Sequence, residues 1–502
     1  MSYPPIVLDR ATSLPLYRQI EIELRRSILD GRLGPGTVLP GIRSFARHLG
    51  VGAVTVMTAY DQLTAEGYLE PQPGRGTLVA PTLSTHARGL RPSPSAMGVG
   101  RLPDPRPGPA RPFHRGVRSL PRVDFRTGAT RLDLFPSAAW ERLLPRAWRD
   151  LASDTGPATS YRYPEGDPRL RAELAAYLGL TRAVRADPAQ IVVTSGARAA
   201  LATAASLWLG PDRPLAVEDP GSRFVARTME AAGVPLVHVP TDDRGLLVER
   251  LPVGPGGPGA PGGPAAAPVA VLVTPSWQHP GGGTMPIARR MQLLAWVAAR
   301  DGVVIEDDVD AEPRYEGQPL PSLAGLDDRG HVLYTGSFSK VMFTGIRAGY
   351  AVVPEVALDA FVARHEAGGA SPGALEQRAL ALFIAEGHLE RHLVRLRAHG
   401  AERQAAMLDA LSRQLGTIVS ARPAAAGSHL VVRIEDVRLS ASELATRARA
   451  LGVAVEPLSF SRHHPAGDQE LVLHYARLTP DEIRTGIGLL ARAAASGARA
   501  TA

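Results

Sequence analysis

From Val123 onward, short apolar runs alternate with stretches of helical period, and this alternation restricts the fold more than any other feature of the chain. The runs stand in "QIVVTSGARAALATAASLWL", "PLAVEDP", "VAVLVTPS", "GVVIEDDVD" and "HVLYTGSFSK". Strand and helix in repeated succession imply a mostly parallel sheet with helices on both faces, an α/β architecture. Each run ends in small or polar residues, and ligands of such sheets bind beyond the carboxyl ends of the strands. The chemistry of the chain is therefore to be sought along that edge.

One residue there is singular. Lys and Arg together number 56, and Lys340, closing "GSFSK", is the one lysine. Arginine supplies solvated positive charge as well as lysine does, but it does not lose a proton to become an amine nucleophile. A Schiff base with an aldehyde needs that amine, and pyridoxal phosphate (PLP) is the aldehyde most often held this way. Alone, Lys340 is equally well a survivor in an arginine-biased composition, so its neighbours must decide. PLP also needs a carboxylate for its pyridine nitrogen and donors for its phosphate. Asp307, beside the strand "GVVI", supplies the first. "TSGAR" follows a strand and opens a helix, so the backbone of Gly196, Ala197 and Arg198 offers a phosphate cradle. Ser337, Ser339 and Arg347 flank the lysine with hydroxyl and guanidinium donors.

The first eighty residues read differently. "PLYRQIEIELRRSILDGRL" places Leu16, Ile20, Leu24 and Ile28 at helical spacing, and Gly31 follows as a stop. A second helix fits "IRSFARHLG", closed by Gly50. A third fits "AVTVMTAYDQLTAEG", with Val54, Met57, Tyr60 and Leu63 expected on its buried face. "YLEPQPGRGTLVA" reads as a hairpin turning through Gly74, Arg75 and Gly76. Three helices and a hairpin make an α+β winged helix-turn-helix. Such a unit sets its third helix in the major groove of double-stranded DNA and its hairpin tip near phosphates.

At 502 residues, more than one domain is expected: a DNA-binding unit over 1–80, a linker over 81–122 and a large domain over 123–502. The net charge of +7 is unevenly spread, with +1 over residues 1–80 and +7 over the Pro, Gly and Arg-rich 81–122. That linker reads as an extended, solvated segment whose arginines are also available to nucleic acid. A second low-complexity stretch, Pro252 to Pro268, reads as a surface insertion. The chain has no cysteine, which excludes disulfides and cysteine metal sites. No run suits a membrane span and no signal peptide is recognised, so a cytoplasmic protein is expected.

The first eighty residues resemble the GntR type of DNA-binding domain through "PLYRQI", "GRLGPGTVLPGIRSFARHLGV", "AYDQLTAEGYLE" and "PGRGTLVA". By that match, Arg43, Thr55 and the tip Gly74, Arg75 and Gly76 are the implied DNA contacts. The usual Ser-Arg-x-Thr after "LGV" is here "GAVT", so Gly52 and Ala53 remove a hydroxyl and a cation. The larger part resembles fold type I, aspartate-aminotransferase-like PLP proteins through "YRYPEGDPRLR", "VVTSGA", "VEDPG", "VTPSWQHP", "IEDDVDAEPRY", "GSFSKVMFTGIRAGY" and "LEQRALALFIAEGHLERHLVRLR". Together the halves resemble a MocR/GabR-type transcription regulator. The resemblance implies a homodimer, an aldimine at Lys340, Asp307 on the pyridine nitrogen, and Ser337, Ser339 and Arg347 on phosphate. It also implies that Tyr161 reaches the phosphate of the other subunit, unless Tyr161 is only a packed loop aromatic.

The departures concern turnover more than capture. Val309 stands where a tyrosine usually serves the cofactor's phenolic oxygen, and Ser222 where an aromatic stacks on its ring, with Phe224 a displaced substitute. "PTG" is "PGG" after Trp277, Gln278 and His279, and Val472 falls where an arginine grips the substrate carboxylate. The expectation is a PLP-dependent DNA-binding regulator that senses PLP, an amine or an amino acid, with reduced or no transaminase activity. An active aminotransferase with a degenerate DNA-binding module is the alternative, and a cofactor-free dimerisation scaffold the third reading.

Overall fold

The computed structural model describes residues 4–12, 14–81, 121–126, 132–153, 163–252, 267–312, 314–315, 321–369, 371–464 and 467–496. Tyr161, residues 82–120 of the linker and 253–266 of the glycine-rich insertion lie outside them. The chain divides into two compact units, Met1–Arg106 and Pro107–Ala502.

In the first unit, α1 (Leu16–Leu29) buries Ile20, Leu24 and Ile28, as their spacing predicts. α2 (Ile42–Leu49) ends on Gly50 at φ 63°, a left-handed cap that glycine adopts without a Cβ penalty. α3 (Ala53–Ala65) follows after three residues, and its N-cap Gly52 offers no side-chain hydrogen bond. Its buried face is Val56, Ala59, Tyr60 and Leu63, which corrects the expected one: Val54 is 67% exposed and Met57 42%. The first two turns of α3 are apolar nearly all round, so periodicity alone does not choose the inward face. Packing on α1 and on Phe45 chooses it, and the Tyr60 hydroxyl fixes the choice by donating to Pro40 O at 2.9 Å. β1 (Leu69–Gln72) and β2 (Gly76–Val79) form the antiparallel wing, with Leu69 opposite Val79 and Gln72 opposite Gly76. Gly74 and Gly76, at φ 77° and 90°, carry the turn between them.

In the second unit, β3 (Val123–Asp124) stands outside the main sheet. The main sheet comprises β4 (Ile191–Thr194), β5 (Leu215–Asp219), β6 (Leu236–Asp242), β7 (Gly245–Leu246), β8 (Ala270–Val273), β9 (Val303–Asp307), β10 (Val332–Ser337) and β11 (Gly349–Val352). Their order is β4-β11-β10-β9-β8-β5-β6-β7. β11 runs antiparallel to both neighbours, so β4 and β10 point the same way and β9 joins them in parallel. The carboxyl ends of β4, β9 and β10 thus share one edge. Alternate residues of each strand enter different cores: Ala270 and Leu272 one, Val271 and Val273 another. Both faces are covered, which explains runs of continuous apolar residues with no polar alternation.

A smaller antiparallel sheet follows, ordered β12 (Val419–Ala421), β13 (His429–Ile434), β16 (Glu470–His474), β15 (Glu456–Pro457), while β14 (Val453–Ala454) pairs with β3. Leu430, Val432 and Ile434 of β13 and Leu471 and Leu473 of β16 pack on Leu411, Leu415, Ile483 and Ile487. His429, Val472 and His474 occupy the opposite positions of the pleat.

Candidate cofactor and ligand site

The edge formed by β4, β9, β10 and the start of β11 collects most of the expected residues. Gly349 pairs with Thr194 and with Ser337, so the ends of three strands meet there. Gly196, at φ 112°, is the N-cap of α6 (Ala197–Trp208). A Cβ on Gly196 would lie 3.9 Å from the Ser337 hydroxyl, and one on Gly349 would lie 2.7 Å from Gly196 Cα. This close approach needs glycine at 349 and leaves the opening amides of Ala197 and Arg198 beside a serine hydroxyl. The Ser339 amide donates to Ser337 Oγ at 3.3 Å. Arg347, with φ 49°, is exposed two residues before that edge. The Arg198 side chain departs from the expected group, because its guanidinium lies 5.0 Å over the ring of Phe224. Only its backbone remains part of the cradle, and Phe224, half-exposed beneath that cation, is engaged with Arg198.

The sequence "EDDVD" distributes its acids by the pleat of β9 and the turn after it. Glu306 accepts the amides of Leu323 and Ala324 at 2.9 Å each. Asp308, on the same side, accepts Arg182 Nε at 2.6 Å and the Tyr334 hydroxyl at 2.5 Å. These two hold the strand end, and Asp307 between them lies on the opposite side. Burial pushes the Asp307 carboxyl up to about 7, against the pull of nearby Lys340. Asp310 adopts φ 58° and accepts Lys340 Nζ at 2.7 Å and the Ser428 hydroxyl at 3.2 Å. Burial opposes its charge, but the Lys340 ammonium more than offsets that and holds the carboxyl well below its usual range.

Three histidines absent from the sequence-based assignment complete the site. His429 and His474 sit opposite each other on β13 and β16, with ring centroids 5.0 Å apart, and His279 stands 5.3 Å from His429. Burial, and then the charge of Lys340, depress the basicity of His279. Burial lowers His429 and His474 too. His429 Nε2 lies 2.9 Å from Pro280 O, so that nitrogen donates and Nδ1 is left with a lone pair. Among the described residues, Nδ1 of all three rings lacks a hydrogen-bond partner. Donor atoms of His279, Asp310 and His429 lie within 4.8 Å of one another. The Lys340 ammonium occupies the cation's place on Asp310. Alternation with Leu430, Leu471 and Leu473 puts His429 and His474 on one face of their strands, but it does not bring them together, and His279 in its turn carries no such signal.

The residues present fit PLP. A carboxyl near pH 7 in its basicity shares a proton readily with a pyridine nitrogen, and the chain's one amine stands beside it. Gly196 and the Ser337 hydroxyl stand at the start of α6, whose opening amides are the kind of donor a phosphate needs. Val309 and Ser222 supply neither a phenol nor an aromatic face. Val472, 4% exposed, sits on the pleat beside His474.

Of the residues expected to contact DNA, Arg43, Gly74, Arg75 and Gly76 are exposed and Thr55 is half-buried. Asp61 is the one charged residue of α3, so this helix presents Val54, Met57 and Thr58 to its surroundings and no cation.

Fold and site together define a winged helix joined in one chain to a fold type I aminotransferase-like domain. A family model described as aminotransferase class I and II matches residues 123–487, and one described as bacterial regulatory proteins, gntR family, matches residues 16–79. The chain is 36% identical to the probable rhizopine catabolism regulatory protein MocR of Rhizobium meliloti, covering 97% of this chain and 95% of that one. It is 32% identical to the pyridoxine biosynthesis transcriptional regulator PdxR of Corynebacterium glutamicum, over 96% of each. A kynurenine aminotransferase of Pyrococcus horikoshii matches 75% of this chain and 91% of its own, with 25% identity and a TM-score of 0.67. The chain therefore belongs to the MocR-type regulators of the GntR family. It is a helix-turn-helix transcriptional regulator that binds DNA through its winged helix. Among the described residues, no helix is long and apolar enough to cross a membrane.

Proposed function

We propose that this regulator is a cytoplasmic homodimer that holds PLP through Lys340 and changes its grip on operator DNA when a small ligand reaches that site. The observation that carries the reading is the convergence of Lys340, Asp307 and the Gly196–Ser337–Gly349 cradle on one sheet edge. PLP, when bound, supplies a carbonyl carbon that amines attack. The chain's own residues do the rest. Lys340 provides the capturing amine, Asp307 holds a proton at the pyridine nitrogen, and Ser337, Ser339, Arg347 and the opening amides of α6 hold the phosphate. Tyr161 of a second subunit is proposed to add to them.

Domain limits of 1–80, 81–122 and 123–502 suit this division of labour. On DNA, Arg43 and Arg75 neutralise phosphates, Gly74 and Gly76 let the wing approach closely, and Thr55 reaches into the groove. Val54 and Met57 give α3 an apolar surface suited to thymine methyl groups. Turnover is proposed to be slight, because no phenol stands at 309 and no guanidinium at 472.

Footprinting on the chain's own upstream region, with and without PLP, tests the reading. The expected result is a protected site whose affinity shifts with PLP in the wild type and does not shift in Lys340→Ala. Identical PLP responses in both proteins would overturn it.

A further inference from the structure

Beside Lys340, three side chains bring donor atoms into one small volume. Those of His279, Asp310 and His429 lie within 4.8 Å of one another, and Asp310 and His429 are 3% and 1% exposed. His279 reaches them from the turn after β8, its ring at 90° to that of His429. The Nδ1 atoms of both rings are buried and lack a hydrogen-bond partner among the described residues. Asp310 accepts from Lys340 Nζ at 2.7 Å and from the Ser428 hydroxyl at 3.2 Å.

His429 already has the support that a metal ligand needs. Its Nε2 donates to Pro280 O at 2.9 Å, which fixes the tautomer and leaves the lone pair on Nδ1. Metal-binding histidines carry such an acceptor on the far nitrogen, because it orients the ring and raises the basicity of the ligating nitrogen. Pro280 follows His279, so one turn supplies a ligand and the support of another. Ser428, next to His429 in the chain, holds the Asp310 carboxylate in the same way.

Two imidazoles and one carboxylate suit a borderline dication such as Zn²⁺, and suit Mg²⁺ or Ca²⁺ poorly, since those ions take oxygen ligands. Ligands about 2.0–2.1 Å from a tetrahedral ion stand about 3.4 Å apart, so the widest gap here closes by at most about 1.4 Å. A cation already fills the position, because the Lys340 ammonium pairs with Asp310. The Lys340 side chain is 31% exposed, so the place it occupies borders solvent.

We infer that His279, Asp310 and His429 form a site for a transition-metal dication of the zinc class, and that the ion and the Lys340 ammonium compete for Asp310. The site stands apart from the proposed function and is tested without the cofactor.

The full chain, dialysed free of PLP and metal, is titrated with Zn²⁺ against a chromophoric chelator, as wild type and as Lys340→Met, in which the competing charge is gone. Lys340→Met is expected to take one ion per chain, roughly tenfold or more tighter than wild type, since no ammonium must leave a buried carboxylate. His279→Gln and His429→Gln, each added to Lys340→Met, are expected to weaken binding roughly a hundredfold. Mg²⁺ in large excess is expected not to compete, and Co²⁺ in place of Zn²⁺ to give visible bands that both histidine substitutions remove. Unfolding transitions check each variant, and half-buried His279 keeps the test readable if His429→Gln fails to fold. No bound ion in Lys340→Met overturns the inference. So does binding that neither histidine substitution weakens, which places the ion on surface histidines, and so does equal affinity in wild type and Lys340→Met, which takes Asp310 out of the site.

Discussion

Gly196, Ser337, Asp307 and Lys340 gather where strand ends of the main sheet meet, and they are the group proposed to capture a phosphorylated aldehyde. Val472 and the imidazoles of His429 and His474 share one face of the smaller sheet, with His279 beside them. The first group is made by strand ends of one sheet, whose spacing leaves little freedom. The second is made by β13 and β16 of the smaller sheet and by the turn at His279. Residues on those pleats can change without disturbing the capture site. Under the proposed function, cofactor capture and ligand choice would be separable, because different sheets supply them.

The comparison breaks most visibly at Asp310, which joins the two groups. Asp310→Ala leaves the Lys340 ammonium partly buried without its carboxylate, and a loss of about 2–3 kcal/mol is expected by denaturant unfolding of the cofactor-free protein. Since Lys340 keeps some contact with solvent, the loss is set at the low end for a buried pair. Loading with PLP should narrow the difference from wild type, because the lysine nitrogen then has another partner. A difference that grows on loading would place Asp310 with the capture residues.

Asp307→Asn sharpens the same comparison through pH. A carboxyl raised in the folded state adds stability below its unfolded value, near 4, and that contribution is lost as pH rises through about 7. Removing the carboxyl should therefore stabilise the cofactor-free protein at pH 8 by about 2 kcal/mol and change it little below about pH 4. The variant should retain PLP at least roughly tenfold less well in equilibrium dialysis.

A further test restores the ligand end alone. Wild type is expected to show no sustained transamination in a coupled assay. Val309→Tyr with Val472→Arg should give a slow, measurable half-reaction with an amino acid donor, since one anchoring charge accounts for roughly a hundredfold in positioning. Rapid turnover by the wild type would favour the enzyme reading.

The smallest effects are expected on DNA. Arg75→Ala should reduce the slope of log affinity against log salt by about one. Replacing operator thymines by deoxyuracil should weaken binding by about 1 kcal/mol per methyl contact in wild type, and by less in a Val54→Ser variant.

Much of this was legible before any coordinates. Lys340 stood out by its chemistry, Asp307 by its place at a strand end, and the wing by its glycine-bearing turn. The rest depends on contacts between distant segments. His429 meets His474 through a strand register, and both meet His279 from the turn after β8, so no local spacing reveals the cluster. Asp310 looked like one acid among four in "IEDDVD" until its left-handed backbone turned it back to Lys340. In α3, Val54 and Met57 were assigned inward because an apolar helix offers several equivalent faces. Small Ala59, which a pattern of large side chains passes over, packs inside instead.

Borohydride reduction of the protein saturated with PLP, followed by peptide mass spectrometry, tests the central claim most directly. A pyridoxyl group on the peptide containing Lys340 is the expected result. An unmodified Lys340 peptide at full cofactor saturation would contradict it.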